Sequence, residues 1–186
     1  MDIKVGVSNH HIHVTREVLD ILFGKGYELT KKRDLVQLGQ FAAFETVTLE
    51  RNGKVMENVR IIGPCRKYTQ VELLERDNEF FGIKAPIRTS GDLEGSETID
   101  IIGPVGRYHA IESTIVADRH IHMSADDLVT FNRQRGDTVS VEVQENGKIL
   151  DHVDIKSDET CVLEFHMNKD EAEEFGIETG MSVKIC

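Results

Sequence analysis

Residues 8–15 read Ser-Asn-His-His-Ile-His-Val-Thr, and residues 117–124 read Ala-Asp-Arg-His-Ile-His-Met-Ser. The two copies share the triplet His-Ile-His and end in a hydroxyl residue. In an extended strand, residues i and i+2 point to the same face, so each triplet places two imidazoles on one side of a strand. A hydroxyl residue directly afterwards is of the type that caps a helix. The pattern predicts that a strand runs into a helix twice, with a histidine pair at each junction.

The duplicated histidine pair favours a metal site. Neutral imidazole is the commonest protein ligand for zinc and related ions, and a zinc site needs about four donors. A single His-x-His can equally be two half-exposed strand histidines, but a second copy makes ligation the better interpretation. Two pairs leave room for one shared ion or for two ions with further ligands.

Composition excludes several classes of protein. With 186 residues, of which 39% are hydrophobic, the chain can form one large domain or two small ones. A net charge of −11 argues against binding to nucleic acid or to an acidic membrane. No run of about 18 apolar residues and no signal peptide is visible, so we expect no membrane span and a cytoplasmic location. The three cysteines form no C-x-x-C pair and are expected to be reduced.

Short alternating segments dominate the remaining sequence. They predict strands at residues 46–50, 58–62, 98–102, 138–143 and 182–185. Asn-Gly pairs at 52–53 and 146–147 predict hairpins. Short helices are expected at residues 15–24, 68–77, 124–131 and 169–175. Many short strands with a few short helices favour small barrels.

A second repeat lies inside the first. Val-Arg-Ile-Ile-Gly-Pro at residues 59–64 matches Ile-Asp-Ile-Ile-Gly-Pro at residues 99–104. Each Gly-Pro is expected to end a strand, because proline cannot donate to the ladder. Internal duplication therefore favours two related barrels, with the histidine pairs near their junction.

Four longer motifs carry a family resemblance. They are VGVS at 5–8, GPCRKYTQVE at 63–72, PIRTSGD at 86–92 and RHIHMS at 119–124. Through them the chain resembles the phosphate propanoyltransferase family of phosphotransacylases over almost its whole length. The resemblance implies an enzyme that converts acyl-CoA and phosphate into acyl phosphate and coenzyme A, or the reverse. Acetyl and propanoyl groups are both candidate substrates.

The same resemblance implies a mainly β fold, in which two small antiparallel β-barrels are capped by short α-helices and the active site lies between them. Residues 1–9 plus 118–186 are expected to form barrel 1. Residues 10–117 are expected to form barrel 2, with a small hairpin insertion near 40–57. Dimers are frequent in the family, so a homodimer is a candidate assembly. No microcompartment-targeting extension is visible before the first strand, which favours a cytoplasmic enzyme.

The ligand set is likewise implied by the resemblance. Two divalent metal ions are expected, and zinc suits the imidazoles best. His11 and His13 would hold one ion, close to the backbone of Ser90. The other ion would be held by Glu72, His120, His122 and His166.

The substrate contacts follow from matching motifs. Arg66 is expected to face the phosphate, because its guanidinium fork matches phosphate oxygens. Arg88 would offset further phosphate charge, and either a metal ion or the backbone amides near Ser90 and Gly91 would stabilise the developing oxyanion. Cys65 is a weaker candidate nucleophile, since a two-metal route needs no acyl-enzyme.

One position departs from the family pattern. Arg119 precedes the second His-x-His, but His10 stands before the first, where the family usually has arginine. Strand alternation sends His10 to the face opposite His11 and His13. We expect it to lie outside the ligand set.

Two alternatives use the same histidines. A dinuclear metal hydrolase would replace phosphate with water and cleave a thioester or phosphoester. A non-catalytic barrel would bind metal for structure or sensing, and it would unfold when stripped of metal.

Overall fold

Strands make up most of the regular secondary structure in this computed structural model, which describes residues 1–186. In chain order the strands are β1 Ile3–Ser8, β2 His11–His13, β3 Lys31–Asp34, β4 Phe41–Arg51, β5 Lys54–Gly63, β6 Gln70–Leu73, β7 Ile87–Arg88, β8 Glu97–Ile102, β9 Arg107–Ala117, β10 His120–His122, β11 Thr138–Val143, β12 Ile149–Lys156, β13 Glu164–Asn168 and β14 Ser182–Ile185. The helices are α1 Arg16–Phe23, α2 Glu75–Phe81, α3 Ala125–Phe131 and α4 Lys169–Phe175.

The chain divides into two compact units. The terminal unit comprises Met1–Asn9, Val36–Leu38 and Asp118–Cys186, and the central unit comprises His10–Leu35 and Gly39–Ala117. The short segment Val36–Leu38 belongs to the terminal unit because the Gln37 amide donates to the Val162 carbonyl at 3.0 Å.

The terminal unit is a closed barrel with the strand order β1-β13-β10-β12-β11-β14, in which β14 pairs with β1. Alternate side chains of these strands fill its interior, because successive residues of a strand face opposite sides of the sheet. Its fully buried members include Ile3, Ile121, Phe165 and Val183. This core belongs to the terminal unit alone.

The central unit closes in the same way. β4 pairs with β5, β5 with β2, β2 with β6, β6 with β9, β9 with β8, and β8 with β4. Strands β3 and β7 extend this ring beside β4 and β9. Its own core includes Ile12, Leu49, Ile61 and Ile101. The prediction of a mainly β protein with two small barrels and short helices is therefore confirmed.

The barrels differ from the expectation in two details. Each is mixed rather than purely antiparallel, since β2 runs parallel to β5 and β10 parallel to β12. An Asn-Gly pair predicts only a hairpin between two directly connected antiparallel strands. The strands of each parallel pair are instead connected through a helix and a further stretch of chain. The hairpin near 40–57 is also part of the barrel rather than an insertion, because β4 pairs with β8 as well as with β5.

Three of the four expected helices are confirmed. The Thr15 hydroxyl caps α1 by accepting from the Val18 amide at 3.1 Å, and Ser124 caps α3 by accepting from the Asp127 amide at 3.2 Å. The helix expected at 68–77 is wrong: residues 70–73 form β6, and α2 begins only at Glu75. In so short an apolar segment, spacing alone does not separate the two periods, and pairing with β2 and β9 decides for a strand.

Candidate metal sites

The first candidate site, the His11 group, consists of His11, His13 and Glu72 in the central unit. Strand β6 runs antiparallel to β2, with Glu72 directly opposite His11. One carboxylate therefore meets both rings: Nε2 of His11 lies 3.4 Å from Oε2 of Glu72, and Nε2 of His13 lies 3.4 Å from Oε1. The ligand atoms of all three residues lie within 4.8 Å of one another.

His13 is neutral and has one ring nitrogen without a proton, which can bind a cation. Burial lowers the pKa of His13 to about 4, so the ring is neutral at pH 7. Nδ1 of His13 lies 3.3 Å from the Ile62 carbonyl oxygen, which can only accept, so Nδ1 carries the proton. The bare Nε2 then faces Glu72.

Glu72 is ionised in this group. Burial by itself would raise its pKa, but His11, His13 and Arg66 together hold the pKa of Glu72 well below its usual range. The two oxygens of this carboxylate lie 3.4 Å from the Nε2 atoms of His11 and His13. This is the arrangement that a divalent cation would stabilise, and a carboxylate with two imidazoles is a usual part of a zinc ligand set. The donors present fit the expected metal.

Ser90 and Gly91 are connected to this group through Gln70, a fully buried residue of β6. The Gln70 amide nitrogen donates to Oε1 of Glu72 at 2.7 Å and to the Ser90 hydroxyl at 2.7 Å. The Gly91 N–H donates to the Gln70 amide oxygen at 2.8 Å. That amide is therefore already used, which weighs against its expected role as an oxyanion donor.

The two expected phosphate ligands have different surroundings. The guanidinium of Arg66 lies close enough to lower the pKa of both His13 and Glu72, and it donates a hydrogen bond to the side-chain oxygen of Gln40 at 3.3 Å. Arg88 instead donates to Asp92 and to the Glu94 carbonyl, within the loop that carries Ser90 and Gly91. Arg66 thus belongs beside the His11 group, whereas Arg88 shapes a loop.

The second candidate site, the His120 group, consists of His120, His122 and His166 in the terminal unit. Strand β10 runs antiparallel to β13, with His120 directly opposite His166. The Nε2 atoms of His120 and His122 lie 3.1 Å apart, and the His166 ring centroid lies 5.4 Å from that of His120 and 4.7 Å from that of His122.

Two of these imidazoles, those of His120 and His122, are also neutral at pH 7. Burial, followed by the charges of Lys156 and the neighbouring histidines, places the pKa of His120 well below its usual range, and burial with His166 lowers the pKa of His122 to about 3. Nδ1 of His120 donates to the Asp118 carbonyl at 2.8 Å, so its Nε2 presents a lone pair towards His122. Three imidazoles whose ligand atoms lie within 4.8 Å of one another fit zinc or a related transition metal.

Glu164 supports this group from β13. It is buried and accepts a hydrogen bond from Nε2 of His166. Burial by itself would raise its pKa, but the bonds from His166 and Gln37 lower the pKa of Glu164, which stays ionised. Since a carboxylate only accepts, Nε2 of His166 carries the proton and Nδ1 is the ring's free donor atom.

The structure brings the expected ligands together in two groups that differ from the expectation in one member, and it adds two residues outside the expected set. The resemblance implied that Glu72 accompanies His120, His122 and His166, whereas the structure puts it in contact with His11 and His13. Gln70 and Glu164 were missed. The signal for both was available: each stands two residues before an expected ligand and therefore on the same strand face.

The remaining candidates have structural surroundings. Burial raises the pKa of the Cys65 thiol, which disfavours the thiolate needed for nucleophilic attack. All three cysteines are free, as expected. His10 contacts Asp77 at 3.1 Å and lies outside both groups. Among the helices, none has the length and apolarity needed to cross a membrane.

Comparison with known proteins shows similarity to one family over nearly the whole chain. The sequence pattern of the family described as phosphate propanoyltransferase matches residues 4–178. A phosphate propanoyltransferase of Lachnoclostridium phytofermentans is 46% identical over 98% of this chain and 86% of its own length. One of Thermotoga maritima is 46% identical over 98% of this chain and 88% of its own length, and one of Rhodobacter capsulatus is 42% identical over 98% and 86%.

Proposed function

The chain belongs to the phosphate propanoyltransferase family, and we propose that it interconverts a short-chain acyl-CoA plus phosphate with the acyl phosphate plus coenzyme A. The proposal includes one divalent ion, zinc by preference, in each of the two histidine groups. Acetyl-CoA and propanoyl-CoA are the first substrates to compare. Three free cysteines favour a reducing compartment such as the cytoplasm.

The observation that carries the proposal is the presence of two partly buried groups, in each of which three ligand atoms lie within 4.8 Å of one another. Each group also has an ionised carboxylate nearby, which either contacts two rings, as Glu72 does, or hydrogen-bonds to one, as Glu164 does. When bound, a divalent ion supplies Lewis acidity and a fixed point of positive charge for anionic oxygens.

We assign phosphate binding to Arg66. Its fork can bind two phosphate oxygens at once, and its charge reaches the His11 group. Positioning the phosphate there converts attack on the thioester carbonyl into an intramolecular step. The bond that forms joins a phosphate oxygen to the acyl carbon, and the bond that breaks is the thioester C–S bond.

Ser90 supplies a polar contact of a different kind. Its hydroxyl oxygen accepts from Gln70, so the hydroxyl hydrogen can be directed to a substrate oxygen. We assign this hydrogen, instead of the Gly91 amide, to the developing oxyanion. The coenzyme A thiolate then leaves without a strong general acid, because a thiol pKa lies near about 8.5.

The test is thiol release from acetyl-CoA and propanoyl-CoA, on zinc-loaded protein, with and without phosphate, while acyl phosphate is measured in the same sample. We expect release that requires phosphate and yields an equal amount of acyl phosphate. Equal release without phosphate would instead identify a hydrolase. No release with either substrate would contradict the proposed activity and leave the ligand groups to a structural or sensing role.

A further inference from the structure

The two barrels present their ligands in the same strand register. In the central unit, His11 lies opposite Glu72 and His13 lies opposite Gln70. In the terminal unit, His120 lies opposite His166 and His122 lies opposite Glu164. Each His-x-His strand therefore faces a strand that carries a third ligand and, two residues earlier, a second polar side chain. Glu72 corresponds to His166, and Gln70 corresponds to Glu164.

The corresponding residues also make corresponding contacts. Gln70 donates to Glu72 at 2.7 Å, and Glu164 accepts from Nε2 of His166. Each is in contact with the third ligand of its own group. The two pairs differ in their functional groups. In the central unit a neutral amide, Gln70, contacts a carboxylate ligand, whereas in the terminal unit a carboxylate, Glu164, contacts an imidazole ligand.

Both of these side chains are themselves anchored. Gln70 accepts from the Gly91 amide and donates to the Ser90 hydroxyl. Glu164 accepts from the Gln37 amide at 3.2 Å, and Gln37 is fixed in turn by the backbone of Val162, with bonds of 3.0 and 2.9 Å. A side chain so held restricts the orientation of whatever it binds.

Gly6 provides the space for this arrangement in the terminal unit. A Cβ at position 6 would lie 2.7 Å from Oε1 of Glu164 and 3.1 Å from Cδ2 of His166. Gly6 does not have the positive φ that would call for glycine on conformational grounds. The missing side chain is therefore explained by the room that the Glu164–His166 pair occupies.

We propose that Gln70 and Glu164 are equivalent positioning residues, each of which fixes the third ligand of its barrel for metal binding. Glu164 holds the Nε2 proton of His166 and leaves Nδ1 as the ligand atom. Each group therefore has one carboxylate. In the central unit it is the ligand Glu72, and in the terminal unit it is Glu164, which hydrogen-bonds to the ligand His166. This inference depends on the metal binding put forward under the proposed function.

The test measures cobalt binding by each group separately, because Co²⁺ replaces zinc and its visible absorption reports the ligands. The His11→Ala/His13→Ala double variant retains only the His120 group, and His120→Ala/His122→Ala retains only the His11 group. Glu164→Gln in the first background should weaken cobalt binding by about 10–100-fold, the usual effect of losing such a supporting contact. In the second background it should change nothing.

Gln70→Ala gives the reciprocal result if the two residues are equivalent: weaker binding where only the His11 group remains, and no change where only the His120 group remains. Glu145→Gln is the matched control, since it removes a carboxylate of the same unit that bonds only to the Ser182 amide. It should leave the affinity of both groups unchanged.

Three results would overturn the inference. One is an affinity of Glu164→Gln equal to that of Glu145→Gln. Another is an equal loss in both backgrounds, which would indicate general destabilisation. If Glu164→Gln fails to fold, Gln37→Ala takes its place, because this variant keeps the carboxylate and removes the hydrogen bond that anchors it. Unchanged cobalt affinity and absorption in Gln37→Ala would be the third result. Cobalt binding by neither group of the unmodified protein would refute the proposed metal sites themselves, and with them this inference.

Discussion

At the scale of single residues, metal binding at the candidate sites requires histidine ring nitrogens that carry no proton. Buried histidines lose theirs because the charged form is costly to bury, and backbone carbonyls fix the remaining proton on Nδ1 of His13 and His120. Their Nε2 atoms therefore carry no proton, and each can bind a metal ion through its lone pair. Sequence patterns locate such histidines, but they do not assign the tautomer, because that depends on which carbonyl packs against the ring.

Glu72→Gln should remove the carboxylate that contacts both His11 and His13 while keeping the shape of the side chain. We expect zinc affinity of the His11 group to fall by more than the roughly 10–100-fold typical of a supporting residue, because a charged ligand is lost. Zinc competition with a chelator measures the change, and Glu145→Gln is again the control. Unaltered zinc affinity would show that Glu72 is not a ligand.

Arg66→Lys should raise the phosphate KM while keeping the positive charge. The lysine cannot reproduce the two-oxygen fork, and a lost charge-assisted hydrogen bond corresponds to about tenfold or somewhat more. Arg88→Lys is the matched control, because that guanidinium bonds to Asp92 and Glu94 in its own loop. Initial rates at varied phosphate measure both variants, and an unchanged phosphate KM in Arg66→Lys would contradict the assignment.

At the scale of secondary structure, the register between β2 and β6 and between β10 and β13 assembles each ligand group. The His-x-His strands were predictable because the triplet is duplicated and each copy is followed by a capping residue, and both are local signals. Strand β6 was not, since its four residues have no such signal and only pairing with β2 and β9 makes them extended. The grouping of Glu72 with His11 could not be read from the sequence for the same reason: register is a tertiary property.

Thr15→Ala should destabilise the junction between β2 and α1. The Thr15 hydroxyl is the side-chain cap of α1, and its loss costs about 1 kcal/mol. Thr130→Ala is the control, because that exposed hydroxyl bonds only to the Asp126 carbonyl of its own helix and should matter by less than about 0.5 kcal/mol. Urea unfolding followed by circular dichroism measures both, and equal midpoints would contradict the capping role.

At the scale of the whole molecule, each unit has an apolar core that does not include its ligand group. The duplication in the sequence predicted two barrels because a repeated strand-to-helix junction implies a repeated supersecondary unit. The position of Val36–Leu38 was not predictable, since it depends on contacts of Gln37 and Leu38 with residues more than a hundred positions away.

Metal removal should therefore lower stability without unfolding the chain. The cores remain in the apoprotein, whereas bound zinc adds stability by mass action, about 2.7 kcal/mol for one site at a hundred times its Kd. Thermal unfolding with chelator and with added zinc measures the difference in Tm. An apoprotein without β-structure by circular dichroism would favour a structural metal site over an open catalytic one.

The most direct test of the account is a zinc titration of the apoprotein in which phosphate-dependent coenzyme A release from propanoyl-CoA is measured at each step. We expect almost no release without zinc and a rise that is complete at two equivalents, with equal amounts of propanoyl phosphate and coenzyme A. Full activity in the metal-free protein, or zinc binding that leaves phosphate-dependent release unchanged, would contradict it.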